Sequence, residues 1–290
     1  MVYTLQNDRL TVQISDVGAE LLSCVSREDG CEYLWQRDPA YWDRTAPWLF
    51  PICSNLYQGK YTYRGKTYEM HQHGFASTSV FTATHVSDTA LTLTLTPNES
   101  TRAVYPFEFV FSVSYQLVEN KLDCRLTVQN NGEEMLYATV GGHPGFNVPL
   151  GGEGEYTDFY LEFGEPCYPD EVVFTEEFCD SGKRTPYDLE DSKRFWLSHD
   201  LFRIDGHFLS GMSNTVTLRS DKARHSVTVS YGDAPYVGFW SSDNDGPYVC
   251  VEPWYGMASL DGVLPIEEKN NMFRLPAGAA KQVLMSISFD

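Results

Sequence analysis

FEFVFSVSYQL (residues 107–117) followed by KLDCRLTVQN (residues 121–130) decides the fold class. In both stretches bulky apolar residues recur at every second position with small polar ones between them, the period of a strand that buries one face. Only Val118, Glu119 and Asn120 separate the two. A link that short cannot hold a crossover helix, so the strands pair antiparallel. The same alternation returns in RLTVQIS (9–15), VFTATHV (80–86), ALTLTLT (90–96) and HSVTVSYG (225–232). These runs are rich in Thr, Val, Phe and Tyr, which suit a pleated surface. Turn signals punctuate them at Asn7-Asp8, Arg64-Gly65 and Asn130-Asn131-Gly132. So many half-buried sheets must cover one another, which predicts a large all-β, antiparallel sandwich or barrel-like domain.

Little else competes with that pattern. DPAYWDR (38–44) and DLEDSKRF (188–195) each have the composition of a short helix, and no longer helix is predicted. Residues 150–200 are acidic and irregular, with GGEGEY and PDEVVFTEEFCDSGKR, and read as long loops over one face. There is no internal repeat and no Pro/Gly/Ser-rich linker, so residues 1–290 read as one domain.

The chain carries 40 acidic against 21 basic residues, a formal net charge of −19. That field repels phosphate backbones and anionic lipid surfaces, so nucleic acid and membranes are poor partners and neutral small ligands are favoured. Aromatic residues make up 14% of the chain, an excess that can pack a core or line a pocket. The seven cysteines are scattered without a C-x-x-C pair and read as free thiols. With no basic-then-apolar leader and no long apolar run, a cytoplasmic protein is expected. The sequence leaves its oligomeric state open.

Three stretches carry chemistry. HQHGF (71–75) places His71 and His73 two apart, so on a strand they would share a face and could reach one metal ion. GFASTSVFT, which follows, offers no carboxylate to complete such a site. The other reading is one exposed and one buried histidine. In GGHPGFNVPL (141–150), Pro144 restricts His143 to extended geometry and the flanking glycines permit close approach to the imidazole. His143 is therefore either aimed at a ligand or bonded to a carbonyl in a tight turn. In YVCVEPWYG (248–256), Glu252 ends an apolar strand run beside Trp254. Burial there raises a carboxyl's pKa, which suits proton abstraction from a hydroxyl, while an indole offers a face for a sugar ring. The alternative is a hydrogen-bonded structural glutamate.

LFPICSNLYQGKYTYRGKTYEMHQHGF, GGHPGFNVP and YVCVEPWYG, in that order, resemble the aldose 1-epimerase (galactose mutarotase) family, and within it the shorter lactose-operon-associated and mutarotase-like branch. The resemblance extends to the terminal RLPAGAAKQVLMSISF. It implies a large antiparallel β-sandwich, a supersandwich, that interconverts the α and β anomers of free aldoses without a metal or organic cofactor. It also implies Glu252 as general base, His143 as general acid, and His73 and Asp205 as sugar-binding residues, with Asn55 and Trp254 beside them. The chain departs from the family where arginines are common, having Asn55 in PICSNL and Ser77 in HGFAS. Losing two fixed charges turns the expectation toward a neutral hexose. Lys60, Arg64 and Lys66, the cations nearest the first motif, read as a solvated hairpin turn rather than a phosphate site. A sugar-binding or sensing protein on the same fold is the alternative to an enzyme.

Overall fold

The computed structural model describes residues 1–257, 260–269 and 271–290. Two large antiparallel sheets dominate it. The first has nine strands, and near its centre lie the two alternating runs of residues 107–130. Phe109–Val118 and Lys121–Asn130 pair in register from Lys121 opposite Val118 to Asn130 opposite Phe109. Ala90–Leu95 and Thr82–Val86 continue the sheet on one side, and Ala280–Phe289, Val227–Ser230, Thr215–Arg219, Tyr160–Phe163 and Arg194–Trp196 on the other. The predicted alternation holds residue by residue. Phe109, Phe111, Val113, Tyr115 and Leu117 are buried, as are Leu122, Cys124, Leu126 and Val128 across from them. Between these buried positions, Thr92–Ser114 and Thr94–Ser112 form cross-strand hydroxyl pairs, each 3.0 Å apart.

The second sheet runs Asp180–Pro186, Asp170–Phe174, His207–Ser210, Tyr236–Trp240, Tyr248–Trp254, Gly141–Gly142 and Trp48–Leu49, with Gly145–Asn147 also paired to Tyr248–Trp254. Val237, Phe239, Val249 and Val251 on one of its faces join the main core. The opposite face of the same strands belongs to smaller clusters around Trp254 and around Cys250. Tyr248–Trp254 is thus buried on both sides, and the period of two puts Glu252 on the face away from the core that Val251 enters.

Three local expectations are corrected. Residues 38–44 form a turn and an irregular segment rather than a helix, and their carbonyls accept from side chains outside the segment: Asn244 Nδ2 donates to the Ala40 carbonyl and Trp35 Nε1 to that of Trp42. Residues 188–195 also lack a helix. They hold a tight turn from Glu190 to Arg194, whose last residues begin the strand Arg194–Trp196. The supposed loops of 150–200 contain four strands, Tyr160–Phe163, Asp170–Phe174, Asp180–Pro186 and Arg194–Trp196, which extend both sheets. The one α-helix among the described residues, Glu99–Val104, went unforeseen; it starts from a capping box between Asn98 and Thr101. No helix among those residues is long and apolar enough to cross a membrane.

Candidate active site

A cavity of about 440 Å³ opens on the outer face of the second sheet. His73, His143, Glu252, Asn55, Asp205 and Trp254 all line it. Each residue expected to act on or bind a sugar is therefore brought to one place, from five separate stretches of chain.

Each arrives by a local device. Glu252 sits opposite Gly238 in the neighbouring strand, where a Cβ would stand 2.3 Å from the Phe208 ring. His143 follows the Gly141–Gly142 strand, and its backbone N–H donates to the Pro47 carbonyl at 3.1 Å. His73 does not ride a strand. The strand Lys66–Glu69 has ended, and His73 occupies a turn at φ 62°. The alternation that would have placed His71 beside it is absent: His71 is exposed and is not among the lining residues, whereas Gln72 and His73 are. Among the described residues, no cluster of three or more His, Cys, Asp or Glu side chains is arranged to hold a metal ion. Gly74 after His73 is required sterically, since a Cβ there would lie 2.2 Å from the Phe50 carbonyl oxygen.

The His73 ring is fixed by Ser54. The Ser54 N–H donates to His73 Nδ1 at 3.1 Å, and the His73 N–H donates back to the Ser54 carbonyl at 3.0 Å. An Nδ1 that accepts leaves Nε2 carrying the proton, so the neutral ring offers an N–H donor at Nε2. Burial lowers this imidazole's pKa to about 4, which keeps it neutral near pH 7. Ser54 is itself in the left-handed region at φ 68°, so both members of this reciprocal pair hold uncommon backbone conformations.

His143 and Glu252 form the centre. His143 Nε2 lies 3.2 Å from Glu252 Oε2, and both residues are buried. Burial, reinforced by the charge of Asp205, pushes the Glu252 carboxyl well above its ordinary range. Burial, together with His73, pushes His143 well below its own. Asp205 is raised too, again by burial, while its carboxylate accepts the Gly206 N–H at 2.8 Å. Both oxygens of Glu252, Nδ1 of His143 and Nε1 of Trp254 have no well-formed hydrogen bond. Buried polar atoms are nearly always satisfied, so this group without well-formed bonds, in which the Trp254 indole lies close enough to Glu252 to oppose part of its upward pKa shift, makes the cavity a candidate site for a polar ligand.

Sequence reasoning missed part of the lining. Trp42 stacks on His143 with ring centroids 4.9 Å apart, and Trp240 meets the same imidazole edge-on at 5.6 Å. Phe174, Phe178 and Ile204 also line the cavity, and Ile204 is 89% exposed. The aromatic excess was the only sequence signal for Trp42, Trp240, Phe174 and Phe178, and it carries no positions; Ile204 had no signal. Trp254, expected as a stacking face, is 2% exposed and packs against Phe208 at 4.3 Å. The more accessible indoles are those of Trp42 and Trp240. Ser77, the second departure from the family pattern, lies outside the cavity, and its carbonyl accepts from Arg44. Lys60, Arg64 and Lys66 also lie outside it, on the hairpin Lys60–Tyr63/Lys66–Glu69, where Arg64 pairs with Glu134.

The two-sheet antiparallel sandwich is the fold of galactose mutarotase-like proteins. Residues 1–276 match the family model described as aldose 1-epimerase, and the chain belongs to that family. It is 34% identical to the chromosomal protein LacX of Lactococcus lactis subsp. lactis, over 97% of each chain. The structure of a galactose mutarotase related enzyme from Lactobacillus acidophilus matches with a TM-score of 0.95 at 37% identity, over 100% of this chain and 97% of that one. A galactose mutarotase-like protein from Lactobacillus casei ATCC 334 matches with a TM-score of 0.92 at 30% identity, over 100% of both chains.

Proposed function

We propose that this protein is an aldose 1-epimerase that interconverts the α and β anomers of a neutral hexose, with Glu252 as general base and His143 as general acid. The observation that carries the reading is the group of unsatisfied buried atoms on Glu252, His143 and Trp254 around one cavity. Mutarotation requires a proton to leave the anomeric hydroxyl and another to reach the ring oxygen. Those two oxygens share one carbon, so the base and the acid must be neighbours, as Glu252 and His143 are at 3.2 Å.

The proton inventory also fits. Ring opening starts from carboxylate and imidazolium and ends at carboxylic acid and neutral imidazole. Burial favours this last, uncharged pair in the sugar-free pocket. The ionised pair that reacts is thus the minor form in the sugar-free pocket, and the ring-opened intermediate returns the protein to its major one. Rotation about the bond from the aldehyde carbon to the next carbon, then reversal of both transfers, closes the ring on the other face. Positioned acids and bases each contribute typically ~10²–10⁴-fold.

His73, presenting Nε2–H, and Asn55 and Asp205 would hold sugar hydroxyls. Among the described residues no Lys or Arg lines the cavity, which favours a neutral sugar over a sugar phosphate. The decay of optical rotation of fresh α-galactose and α-glucose tests the reading. Wild type is expected to accelerate decay of at least one of them, and Glu252→Gln to abolish most of that gain. Saturable sugar binding with no acceleration would instead make the protein a sugar binder.

A further inference from the structure

The acid of this reaction must be positively charged in a place that opposes positive charge. His143 is buried, and the other imidazole, His73, approaches with its centroid 5.8 Å away. The ionisable groups that face it in the cavity are Glu252 on the strand Tyr248–Trp254 and His73 on the turn, with Asp205 acting on Glu252. Glu252 alone among them touches His143 as a counter-charge, and it loses that charge when it takes the sugar's proton.

Aromatic faces are what remain. The Trp42 ring lies over the imidazole at 4.9 Å with an interplanar angle of 29°. An indole face carries negative quadrupolar potential and is the strongest of the aromatic partners for a cation. Trp42 is held in place from three sides: its backbone N–H donates to the Asp38 carbonyl, its carbonyl accepts from Trp35 Nε1 at 2.8 Å, and its ring stacks on Tyr248 at 5.7 Å. Trp240 braces it edge-on at 5.4 Å. We propose that Trp42 is a positioning residue for the acid: its face stabilises the imidazolium form of His143 and fixes the ring against Glu252. Because indole is neutral, this support does not depend on the charge of Glu252.

The inference rests on the reading of His143 as the acid, and its test separates the two. Trp42→Tyr, Trp42→Phe and Trp42→Leu would be compared by polarimetry across pH. The expected result is kcat falling along that series, by about 2- to 30-fold in all, with KM nearly constant. In the resting pair the shared proton sits on Glu252, so His143 takes up a second proton only on the acid limb. Losing the indole makes that uptake harder, and the acid limb of kcat/KM should move to lower pH by roughly 0.4 to 1.5 units. An acid limb that stays fixed in the Phe and Leu variants would overturn the proposal, as would a rise in KM alone, which would make Trp42 a platform for the sugar. Should the Leu variant fail to fold, the Tyr and Phe steps carry the comparison. Glu252→Gln and His143→Asn run beside them, and wild-type rates in those two would remove the acid–base reading itself, whatever Trp42 does.

Discussion

His143 and His225 each hold Nε2 close to a carboxylate oxygen, 3.2 Å from Glu252 in one case and 2.9 Å from Asp29 in the other. Around His225 everything is paired. Its Nδ1 lies 3.2 Å from both the Tyr33 hydroxyl and the Asp290 carbonyl, and Asp29 also takes an ion pair from Arg224. Around His143, Nδ1 and both oxygens of Glu252 are left over. The same residue types at nearly the same distance make a saturated brace in one place and leave polar atoms without well-formed bonds around a cavity in the other. Saturation of hydrogen bonds, rather than proximity, separates the two.

The sharpest way to break this comparison is to neutralise each pair. Glu252→Gln and His143→Asn should each lower the mutarotation rate by about 10²–10⁴-fold, and the double variant little further, since the two act as a unit. Asp29→Asn and His225→Gln should leave the rate near wild type. Equal losses at both sites would dissolve the contrast.

Stability should respond in the opposite sense. Asp29→Ala strips partners from His225 and Arg224 and should cost about 1–3 kcal/mol in urea unfolding. Glu252→Gln removes a buried carboxyl without a well-formed bond and should stabilise the fold by a comparable ~1–3 kcal/mol near neutral pH. The pH dependence has a definite sign. The folded pKa of Glu252 lies above its ordinary 4.5, so the carboxyl does not penalise the fold below that pH, and the penalty grows as pH rises toward the folded value. The advantage of the variant should therefore vanish in acid.

His73 is depressed instead, from 6.5 to about 4. Its contribution to stability is full above pH 6.5 and is lost as pH falls through that window. Nitrogen NMR should show a neutral ring protonated at Nε2 throughout neutral pH. A ring protonated at Nδ1 would contradict the bond from Ser54. The smallest effect expected is the difference between two substitutions. His73→Asn can still accept from Ser54 but lacks the Nε2 donor, whereas His73→Gln keeps a donor but loses the anchor. Both should raise KM more than they lower kcat.

How far the sequence could be read depended on where each residue's partners lie. Residues 107–130 were legible because the pattern and its cause are local: alternate burial, a tight hairpin and β-favouring residues agree. Glu252, His143 and His73 were legible because each sits in a short stretch whose glycines and prolines fix its backbone, and because three such stretches together resemble one family. Trp42 was not legible. Its segment looked helical, yet its position is set by Trp35, Tyr248, Trp240 and the Asn244 side chain's hold on Ala40, all remote in sequence except Trp35. The strands within 160–196 were hidden by acidic, interrupted stretches and by a bulge between Val173 and Phe174, which breaks the period of two. The placement of His71 and His73 failed for a related reason, since the strand stops at Glu69 and a left-handed turn aims His73 by itself.

The most direct measurement is a crystal structure of the protein with an aldose in the cavity. The anomeric oxygen should lie within hydrogen-bond distance of Glu252 and the ring oxygen of His143, with His73 Nε2 donating to a hydroxyl. A sugar bound with its anomeric carbon turned away from the Glu252–His143 pair, or bound outside this cavity, would contradict the account.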